Sequence, residues 1–237
     1  MAMLSINEPK AVFFDAAGTL FDSVRHVAET YVELAGRHDK KVSRDEIASA
    51  FRDCFAAAPP LAFNETVVKR LEAMERLWWE NLVRRIFEPT GTFERFDAYF
   101  TELFDHFAKT ESWVLFDDTI ETLEYLKDRR FILVLISNFD SRVLRIVEGL
   151  GIAPYFDTMV ISSQAGYAKP APEIFRLALE EHRIGAHEAI HVGDSPETDV
   201  EGALRAGVQP VLLDRNQRGH AEGAIRITGL RELIALL

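Results

Sequence analysis

The stretch Val12-Phe-Phe-Asp-Ala-Ala-Gly-Thr-Leu20 joins a short apolar run to a turn that contains a glycine. The four apolar residues from Ala11 to Phe14 do not alternate with polar ones, which favours a strand buried on both faces, as in a parallel sheet. Asp15 then follows the carboxyl end of that strand, where open α/β sheets bind ligands. Gly18 lets the backbone approach a ligand closely, and the Thr19 hydroxyl can bind an anion. The stretch predicts one edge of a catalytic site, although the same pattern also fits an ordinary turn.

Beyond Leu115 the sequence alternates between helical patterns and short apolar runs. Strands that alternate with helices favour a parallel, doubly wound sheet, and the run before Asp15 is expected to join that sheet. The predicted fold class is therefore α/β, with a Rossmann-like doubly wound parallel sheet. The further predicted strands are Phe131–Ile136, Thr158–Ile161, Ala189–Val192 and Gln209–Leu213, and the predicted helices are Asp117–Arg130, Ser141–Gly149, Pro172–Glu181 and Thr198–Ala206.

The segment 23–111 is helical in pattern almost throughout, and it interrupts the strand-based pattern on either side. Ser43, followed three residues later by Glu46, predicts a capping box at one helix start. Four helices with short connections favour a small bundle. We therefore expect a core domain formed by residues 1–22 and 112–237 and an inserted helical domain formed by residues 23–111. The better-defined helices of the insert are predicted to run to about Ala57, over Glu65–Phe87 and over Phe93–Lys109.

The composition narrows the class of protein. The 237 residues are 48% hydrophobic and 27% charged, which is typical of a globular enzyme, and the net charge of −11 argues against a nucleic-acid or anionic-membrane surface. Cys54 is the single cysteine, so an intrachain disulfide is excluded and a reducing cytoplasm is the expected location. No export signal or membrane-spanning run is visible, and the oligomeric state cannot be read from the sequence.

Polar residues follow the predicted buried strands or lie in loops beside them. Each cluster alone fits a helix cap or a turn, but their joint occurrence at the strand ends favours one site. His191, by contrast, lies within a predicted strand and is expected to be a packed core residue. The clusters are Asp15, Ser137 with Asn138, Lys169, and Asp194 with Asp199.

The order of these clusters resembles that of the haloacid dehalogenase-like (HAD) hydrolase superfamily over essentially the whole chain. Four segments resemble its motifs I to IV, and the helical insertion just after motif I is similar to its C1 cap. The sequence from Ile136 to Arg142 further resembles a branch of hydrolase-domain-containing HAD proteins. The four segments are Val12–Ser23, Leu135–Asn138, Gly166–Phe175 and His191–Asp199.

The resemblance implies a chemical role for each cluster. Asp15 is implied to be the nucleophile that forms an aspartyl-phosphate, and the implied ligands of Mg²⁺ are Asp15, the backbone carbonyl of Ala17 and Asp194. Phosphoryl oxygens of a small phosphorylated substrate are implied to bind Ser137, Asn138 and the neighbouring N–H groups, with Lys169 as the cation. Asp199 is expected to orient Lys169 or a metal-bound water.

Ala17 departs from the pattern of the family's phosphatases, which usually carry a second Asp two residues after the nucleophile. That Asp protonates the leaving oxygen and then activates water, and alanine can do neither. Its loss should slow the hydrolysis of poor leaving groups most.

Three functions remain open: a Mg²⁺-dependent phosphatase that is weak or specialised, a 2-haloacid dehalogenase, and a non-catalytic binder of phosphate ligands. A dehalogenase needs no acid for the departing halide, but Asp194 argues against it, because the family's dehalogenases work without a metal.

The predicted helical insert is where the identity of the substrate would be determined. Trp78 and Trp79 could form a stacking platform, although aromatic residues at helical spacing usually belong to a core. Its basic residues are candidates for a substrate contact, although such residues are usually just solvated. These are Arg37, Arg52, Lys69 and Arg95.

Overall fold

The computed structural model describes residues 9–217 and 221–237. The strands are β1 (Ala11–Phe14), β2 (Phe21–Ser23), β3 (Trp113–Leu115), β4 (Ile132–Ser137), β5 (Thr158–Ile161), β6 (Ala189–Gly193), β7 (Gln209–Leu213) and β8 (Ile225–Ile227). The helices are α1 (Val27–Arg37), α2 (Arg44–Ala56), α3 (Val68–Phe87), α4 (Phe96–His106), α5 (Thr119–Asp128), α6 (Arg142–Gly149), α7 (Ser162–Ala165), α8 (Pro172–His182), α9 (Glu201–Ala206) and α10 (Arg231–Leu236).

Six strands form one parallel sheet in the order β5-β4-β1-β6-β7-β8. Phe14 packs in a hydrophobic cluster with residues of α5, α6 and α10, whereas Phe13 packs on the opposite face with residues of α8 and α9. Both faces of β1 are therefore covered by helices, which explains why its sequence is continuously apolar. The α/β class and the doubly wound parallel sheet are confirmed.

The helical segment between β2 and β3 has a hydrophobic core of its own, built from residues of α1 to α4 such as Tyr31, Ile86 and Tyr99. The chain leaves the main sheet through β2 and returns through β3. These two strands pair antiparallel, with Phe21 opposite Leu115 and Ser23 opposite Trp113. The two ends of the segment therefore lie side by side.

Some element boundaries differ from those expected. Helix α3 begins at Val68 rather than Glu65, because the Glu65 carboxylate accepts the N–H groups of Thr66 and Val67 before the helix starts. The helix expected over Thr198–Ala206 is divided into a π-helical turn, Pro196–Val200, and α9. Strands β2, β3 and β8 have three residues each and were not predicted.

Helix α3 is attached to the main sheet by a buried carboxylate. Glu75 is only 2% exposed, and it accepts hydrogen bonds from Ser141 N (2.9 Å), Ser141 Oγ (2.5 Å) and Ser163 Oγ (2.6 Å). One residue of the helical segment therefore holds two segments that follow neighbouring strands: the loop after β4 and helix α7 after β5. The loop after β4 begins at Asn138.

A second polar connection fixes the turn after β1. Arg215 donates to both carboxylate oxygens of Asp118, at 2.8 and 3.1 Å, and to the carbonyl of Thr19 at 3.0 Å. Asp118 also accepts the N–H of Leu230 at 2.7 Å. Burial alone would raise the pKa of Asp118, but these hydrogen bonds outweigh it and hold the pKa below its ordinary value.

Among the described residues, no helix combines the length and the apolar character needed to cross a bilayer.

We expect the Asp118→Asn variant to lower the free energy of unfolding by about 1–3 kcal/mol at pH 7, because a charged acceptor of three hydrogen bonds is lost. The folded-state pKa of Asp118 is depressed, so its contribution is complete above the unfolded pKa and disappears as the pH falls through the folded value. The free energies of unfolding of the two proteins, measured by denaturant titration, should therefore converge as the pH falls below about 4. Asp117→Asn, at an exposed neighbour, is the matched control. A difference that is constant from pH 7 to pH 3 would contradict this prediction.

We expect Glu75→Gln to lower the free energy of unfolding by about 1–3 kcal/mol, because a neutral amide cannot accept all three hydrogen bonds that the carboxylate accepts. Hydrogen exchange at the Ser141 amide should also become faster than in the wild-type protein. Glu72→Gln changes an exposed carboxylate on the same helix and should leave both measurements unchanged. Equal effects of the two variants would show that Glu75 does not connect the segments.

Candidate active site

The site lies where two neighbouring parallel strands end. Asp15 follows β1 and Asp194 follows β6, and the Asp15 N–H donates to the carbonyl of Val192 at 2.9 Å. The strand order reverses here, because β4 and β5 lie on one side of β1 and β6 lies on the other. Open α/β sheets bind ligands in the crevice at such a point.

Lys169 lies in the loop between α7 and α8 and is buried between two carboxylates. Its Nζ donates to Asp15 Oδ1 and to Asp199 Oδ1, each at 2.6 Å. Burial alone would lower the pKa of Lys169, but the two carboxylates raise it above its ordinary value. The ammonium group therefore stays charged and fixes Asp15 at one oxygen.

Both oxygens of Asp199 have partners. Oδ1 also accepts from His191 Nε2 at 2.9 Å, and Oδ2 accepts the N–H of Ser195 at 3.0 Å. Burial would raise the pKa of Asp199, but Lys169 and His191 hold it below its ordinary value. Burial lowers the pKa of His191, so the ring is neutral and its Nε2 carries the donated hydrogen. His191 is packed in the core against Phe175, as expected, but it also supports Asp199.

Three carboxylates meet at this point. Oxygen atoms of Asp15, Asp194 and Asp199 all lie within 4.8 Å of one another. Burial raises the pKa of Asp15 to about 6 although Lys169 opposes the shift. Desolvation and the neighbouring Asp15 raise the pKa of Asp194 to about 7, even though its side chain keeps an exposed face. With Lys169 charged and all three carboxylates ionised, the cluster has two uncompensated negative charges.

The donor set suits a small divalent cation. The carbonyl of Ala17 accepts no hydrogen bond from the described residues, and no described side chain donates to the Asp194 carboxylate. Carboxylate and carbonyl oxygens are the ligands that Mg²⁺ prefers, and a divalent charge would neutralise the cluster. Asp199 differs from these groups, because both of its oxygens are already engaged. The residues present therefore fit Mg²⁺ between Asp15, Ala17 and Asp194.

Ser137 is the last residue of β4 and Asn138 follows it, and both line the cavity beside Asp15. The Asn138 side chain pairs with the backbone of Lys169, accepting its N–H at 2.7 Å and donating to its carbonyl at 2.8 Å. Asn138 therefore positions the loop that carries Lys169. Ser137 is buried, and its hydroxyl makes no hydrogen bond with a described residue.

Gly18 and Thr19 lie in the turn behind the carboxylates and are not part of the cavity wall. Gly18 has a φ of +90°, and a Cβ at this position would lie 2.5 Å from Asp194 Oδ2, so both the backbone and the close approach of Asp194 require glycine. Its N–H donates to the carbonyl of Phe21. Thr19 is fully buried, and its hydroxyl has no partner among the described residues.

A cavity of about 270 Å³ opens directly beside Asp15. Its floor contains Asp15, Ala17, Ser137 and Asp194, and its remaining wall comes mostly from apolar side chains of the helical segment. Trp79 lies in this wall, whereas Trp78 packs beside the core of the helical segment. The four basic residues suggested as substrate contacts, namely Arg37, Arg52, Lys69 and Arg95, do not line the cavity.

Sequence reasoning missed the polar connection at the edge of this cavity. Asp140 is completely buried and accepts two hydrogen bonds from the Arg142 guanidinium, from Nε to Oδ1 at 2.8 Å and from Nη2 to Oδ2 at 2.6 Å. Trp79 Nε1 donates to the same carboxylate at 2.6 Å. The only sequence signal was an acid two residues before a base at a helix start, and such a pair usually lies on the surface.

The chain was compared with known proteins. Residues 9–207 match the family model described as haloacid dehalogenase-like hydrolase. Haloacid dehalogenase-like hydrolase domain-containing protein 3 of Danio rerio is 30% identical over 215 residues, covering 89% of this chain and 88% of that protein. Phosphoserine phosphatase of Thermus thermophilus is 32% identical over 164 residues, covering 67% of this chain and 63% of that protein.

A similar fold occurs in the HAD hydrolase YfnB of Bacillus subtilis, whose crystal structure was determined with bound magnesium. The TM-score is 0.76 at 17% identity, and the match covers 98% of this chain and 99% of that one. The family model spans the site described above, from the strand before Asp15 to the helix after Asp199. The chain therefore belongs to the haloacid dehalogenase-like hydrolases.

Proposed function

We propose that the protein is a magnesium-dependent phosphatase that transfers the phosphoryl group of a small phosphate monoester first to Asp15 and then to water. One observation carries this proposal: Asp15 lies at the bottom of a cavity, with the Lys169 ammonium 2.6 Å from one oxygen and Asp194 beside it. A nucleophilic carboxylate, a fixed cation and a second carboxylate are the groups that phosphoryl transfer through an acyl phosphate requires.

In the first step, Asp15 Oδ2 attacks phosphorus, because Oδ1 holds Lys169. A bond forms between this oxygen and phosphorus while the bond between phosphorus and the ester oxygen breaks. The leaving alcohol departs with the electron pair. Ala17 offers no proton to it, so the ease of this step depends on how stable the departing oxyanion is.

In the second step, water attacks the phosphorus of the aspartyl-phosphate. The bond to Asp15 breaks and the carboxylate is regenerated, while inorganic phosphate leaves with the oxygen and one proton of the attacking water and the other proton passes to solvent. Asp199 keeps Lys169 charged and in place through both steps, which makes Asp199 and His191 positioning residues.

Mg²⁺ would be held by Asp15, the carbonyl of Ala17 and Asp194. When bound, it supplies positive charge that offsets the charge of the phosphoryl oxygens and of Asp15. Ala17 would bind through its backbone, so the missing side chain leaves this part of the site intact.

The phosphoryl oxygens would bind the Ser137 hydroxyl, the N–H groups at Asn138 and the Lys169 ammonium. The side chain of Asn138 contributes by holding the Lys169 loop. The predicted contacts from Gly18 and Thr19 stay predictions. Their present arrangement supports Asp194 and the turn after β1.

We also propose that residues 23–111 act as a C1 cap over a core domain of residues 1–22 and 112–237. Two features support this division. The helical segment has a separate hydrophobic core, and its side chains complete the cavity above Asp15.

A 2-haloacid dehalogenase is the second candidate, because a halide needs no proton and Ala17 provides none. The Asp194 carboxylate weighs against it, since it adds a negative charge beside the nucleophile that a metal-free displacement does not need. Halide release from a 2-haloacid in the presence of a chelator would favour this candidate. A non-catalytic binder of phosphate ligands would bind phosphate without any turnover that depends on Asp15.

We expect the wild-type protein to hydrolyse 4-nitrophenyl phosphate with Mg²⁺ and to lose this activity when a chelator removes the metal. Asp15→Asn should lower kcat by at least ~10³-fold, because the amide has nearly the same shape but cannot attack phosphorus. Asp22→Asn, at an exposed carboxylate on β2, is the matched control and should keep full activity. Equal turnover with chelator, or an active Asp15→Asn variant, would contradict the phosphatase.

We expect Ala17→Asp to raise kcat/KM for phosphate esters of simple alkyl alcohols by about 10²- to 10⁴-fold, because it restores a general acid beside the leaving oxygen. Esters with good leaving groups should gain much less. Ala17→Asn has nearly the same size without the acidic proton and should give no such gain. If both variants behave alike on the alkyl esters, another group already supplies the proton.

A further inference from the structure

The wall of the cavity above Asp15 is aromatic. The side chains that form it come from the four helices α1 to α4 and from the segment that returns to the core. They pack against one another as well as around the space, with the Phe55 and Trp79 rings 6.2 Å apart. The aromatic side chains of this wall include Phe51, Phe55, Trp79, Phe104 and Phe107.

Two polar side chains in this wall, Arg142 and Trp79, are bound to protein acceptors. Arg142 donates to both oxygens of Asp140 and, through Nη1, to the carbonyl of Phe104 at 2.9 Å, while its guanidinium lies 3.8 Å from the centre of the Phe104 ring. The Trp79 indole N–H is bound to the same Asp140. The single indole N–H of Trp79 and three of the five guanidinium N–H groups of Arg142 are therefore already bound to protein acceptors.

Tyr31 is the one residue of this part of the wall whose hydroxyl makes no hydrogen bond with a described residue. Burial raises the pKa of Tyr31 above its ordinary value, so the hydroxyl stays protonated. A leaving group with several hydroxyls or an ammonium group would lose its hydrogen bonds to water here, and in exchange this part of the wall offers only the Tyr31 hydroxyl and the remaining N–H groups of Arg142. Each unreplaced hydrogen bond weakens binding by about ten-fold or more.

The size of the cavity suits one ring. A protein cavity of about 150 Å³ is large enough to bind benzene. At about 270 Å³, the space beside Asp15 can take a phosphoryl group and a single aromatic ring. Offset or edge-to-face contacts with the surrounding rings would favour such a group over an aliphatic one of equal size.

Ala17 also favours an aromatic leaving group. Without a proton donor, an alcohol must depart as its anion. A phenol has a pKa near 10, as in tyrosine, and its anion leaves far more readily than the alkoxide of a simple alcohol. The apolar wall and the missing acid are separate features of the chain, and both select the same leaving group.

We propose that the substrates are monoesters of phosphate with a single-ring phenol, that is, small aryl phosphates. This proposal rests on the phosphatase function proposed above. The bond between phosphorus and the aryl oxygen breaks as Asp15 attacks, and the phenolate takes its proton from water after it departs. The aromatic cap residues and Ala17 together determine the specificity.

Binding and turnover test the proposal separately. Benzylphosphonate and methylphosphonate share a phosphonate that cannot be hydrolysed and differ only in the ring, so calorimetry with Mg²⁺ measures the contribution of the cavity alone. We expect benzylphosphonate to bind about ten-fold more tightly or better. We also expect kcat/KM for phenyl phosphate to exceed that for phosphoserine and glycerol phosphate by at least ~10²-fold.

A pair of variants tests whether the cavity wall causes the preference. Phe55 is 43% exposed at the edge of the cavity, so Phe55→Ala should preserve the fold while weakening benzylphosphonate binding about three- to ten-fold, as expected for a lost aromatic contact. Methylphosphonate binding should not change. Leu77 on α3 is 56% exposed and outside the cavity, and Leu77→Ala should leave both affinities as in the wild-type protein.

The possible results separate this proposal from the phosphatase function. Equal binding of the two phosphonates, or turnover of phosphoserine or glycerol phosphate as efficient as that of phenyl phosphate, would overturn the aryl specificity and leave an Asp15-dependent phosphatase. Tight binding of benzylphosphonate with no hydrolysis that depends on Asp15 would overturn the phosphatase, and the aryl phosphate would then not be a substrate.

Discussion

The site is organised around one buried ammonium group. Lys169 lies between Asp15 and Asp199, and each of these three charges would be costly to bury without the others. The three side chains come from separate parts of the chain: Asp15 follows β1, Asp199 lies after β6, and Lys169 lies in the loop before α8. Their pairing therefore requires that these three parts meet at the same edge of the sheet. Fixing the ammonium at one oxygen of Asp15 leaves the carboxylate held in one orientation beside the cavity.

The three carboxylates differ because their partners differ. Asp199 is satisfied by Lys169, His191 and Ser195, so its oxygens serve the architecture of the site. Its side chain turns back over Gly193, where a Cβ would lie 2.2 Å from Asp199 Cγ, and only glycine leaves that space. No side chain among residues 9–217 and 221–237 donates to Asp194, and its pKa is raised. Asp199 therefore shapes the site, whereas Asp194 keeps oxygens that can bind a cation.

Much of this site could be predicted from the sequence because the informative residues are local to strand ends. The run before Asp15, the pair Ser137-Asn138 and the Gly193-Asp194 turn each join a recognisable strand to polar residues, and a parallel sheet brings such ends together. The α/β fold followed from the same pattern. Glu75, Asp140 and Arg142 could not be found in this way. Their partners lie in distant parts of the chain or depend on how the helical segment packs against the main sheet. The local periodicity of the sequence does not indicate this packing.

The roles of individual residues were also harder to predict than their positions. The side-chain amide of Asn138 is paired with the backbone of Lys169, a role that the sequence did not indicate, and its expected contact with phosphate stays a prediction. The short strands β2 and β3 carry no apolar run long enough to be recognised, since each has one buried, one exposed and one half-buried residue.

The pairing of β2 with β3 has a consequence for how such a protein can change over time. The two strands bring the ends of the helical segment together at a fixed spacing, whatever the segment contains. The entropic cost of closing a segment grows only slowly with its length, so its helices can be lengthened, shortened or exchanged without altering the register of the main sheet. The main sheet with its carboxylate cluster and the helical segment can therefore evolve at different rates, and one ancestral scaffold can carry many different helical segments.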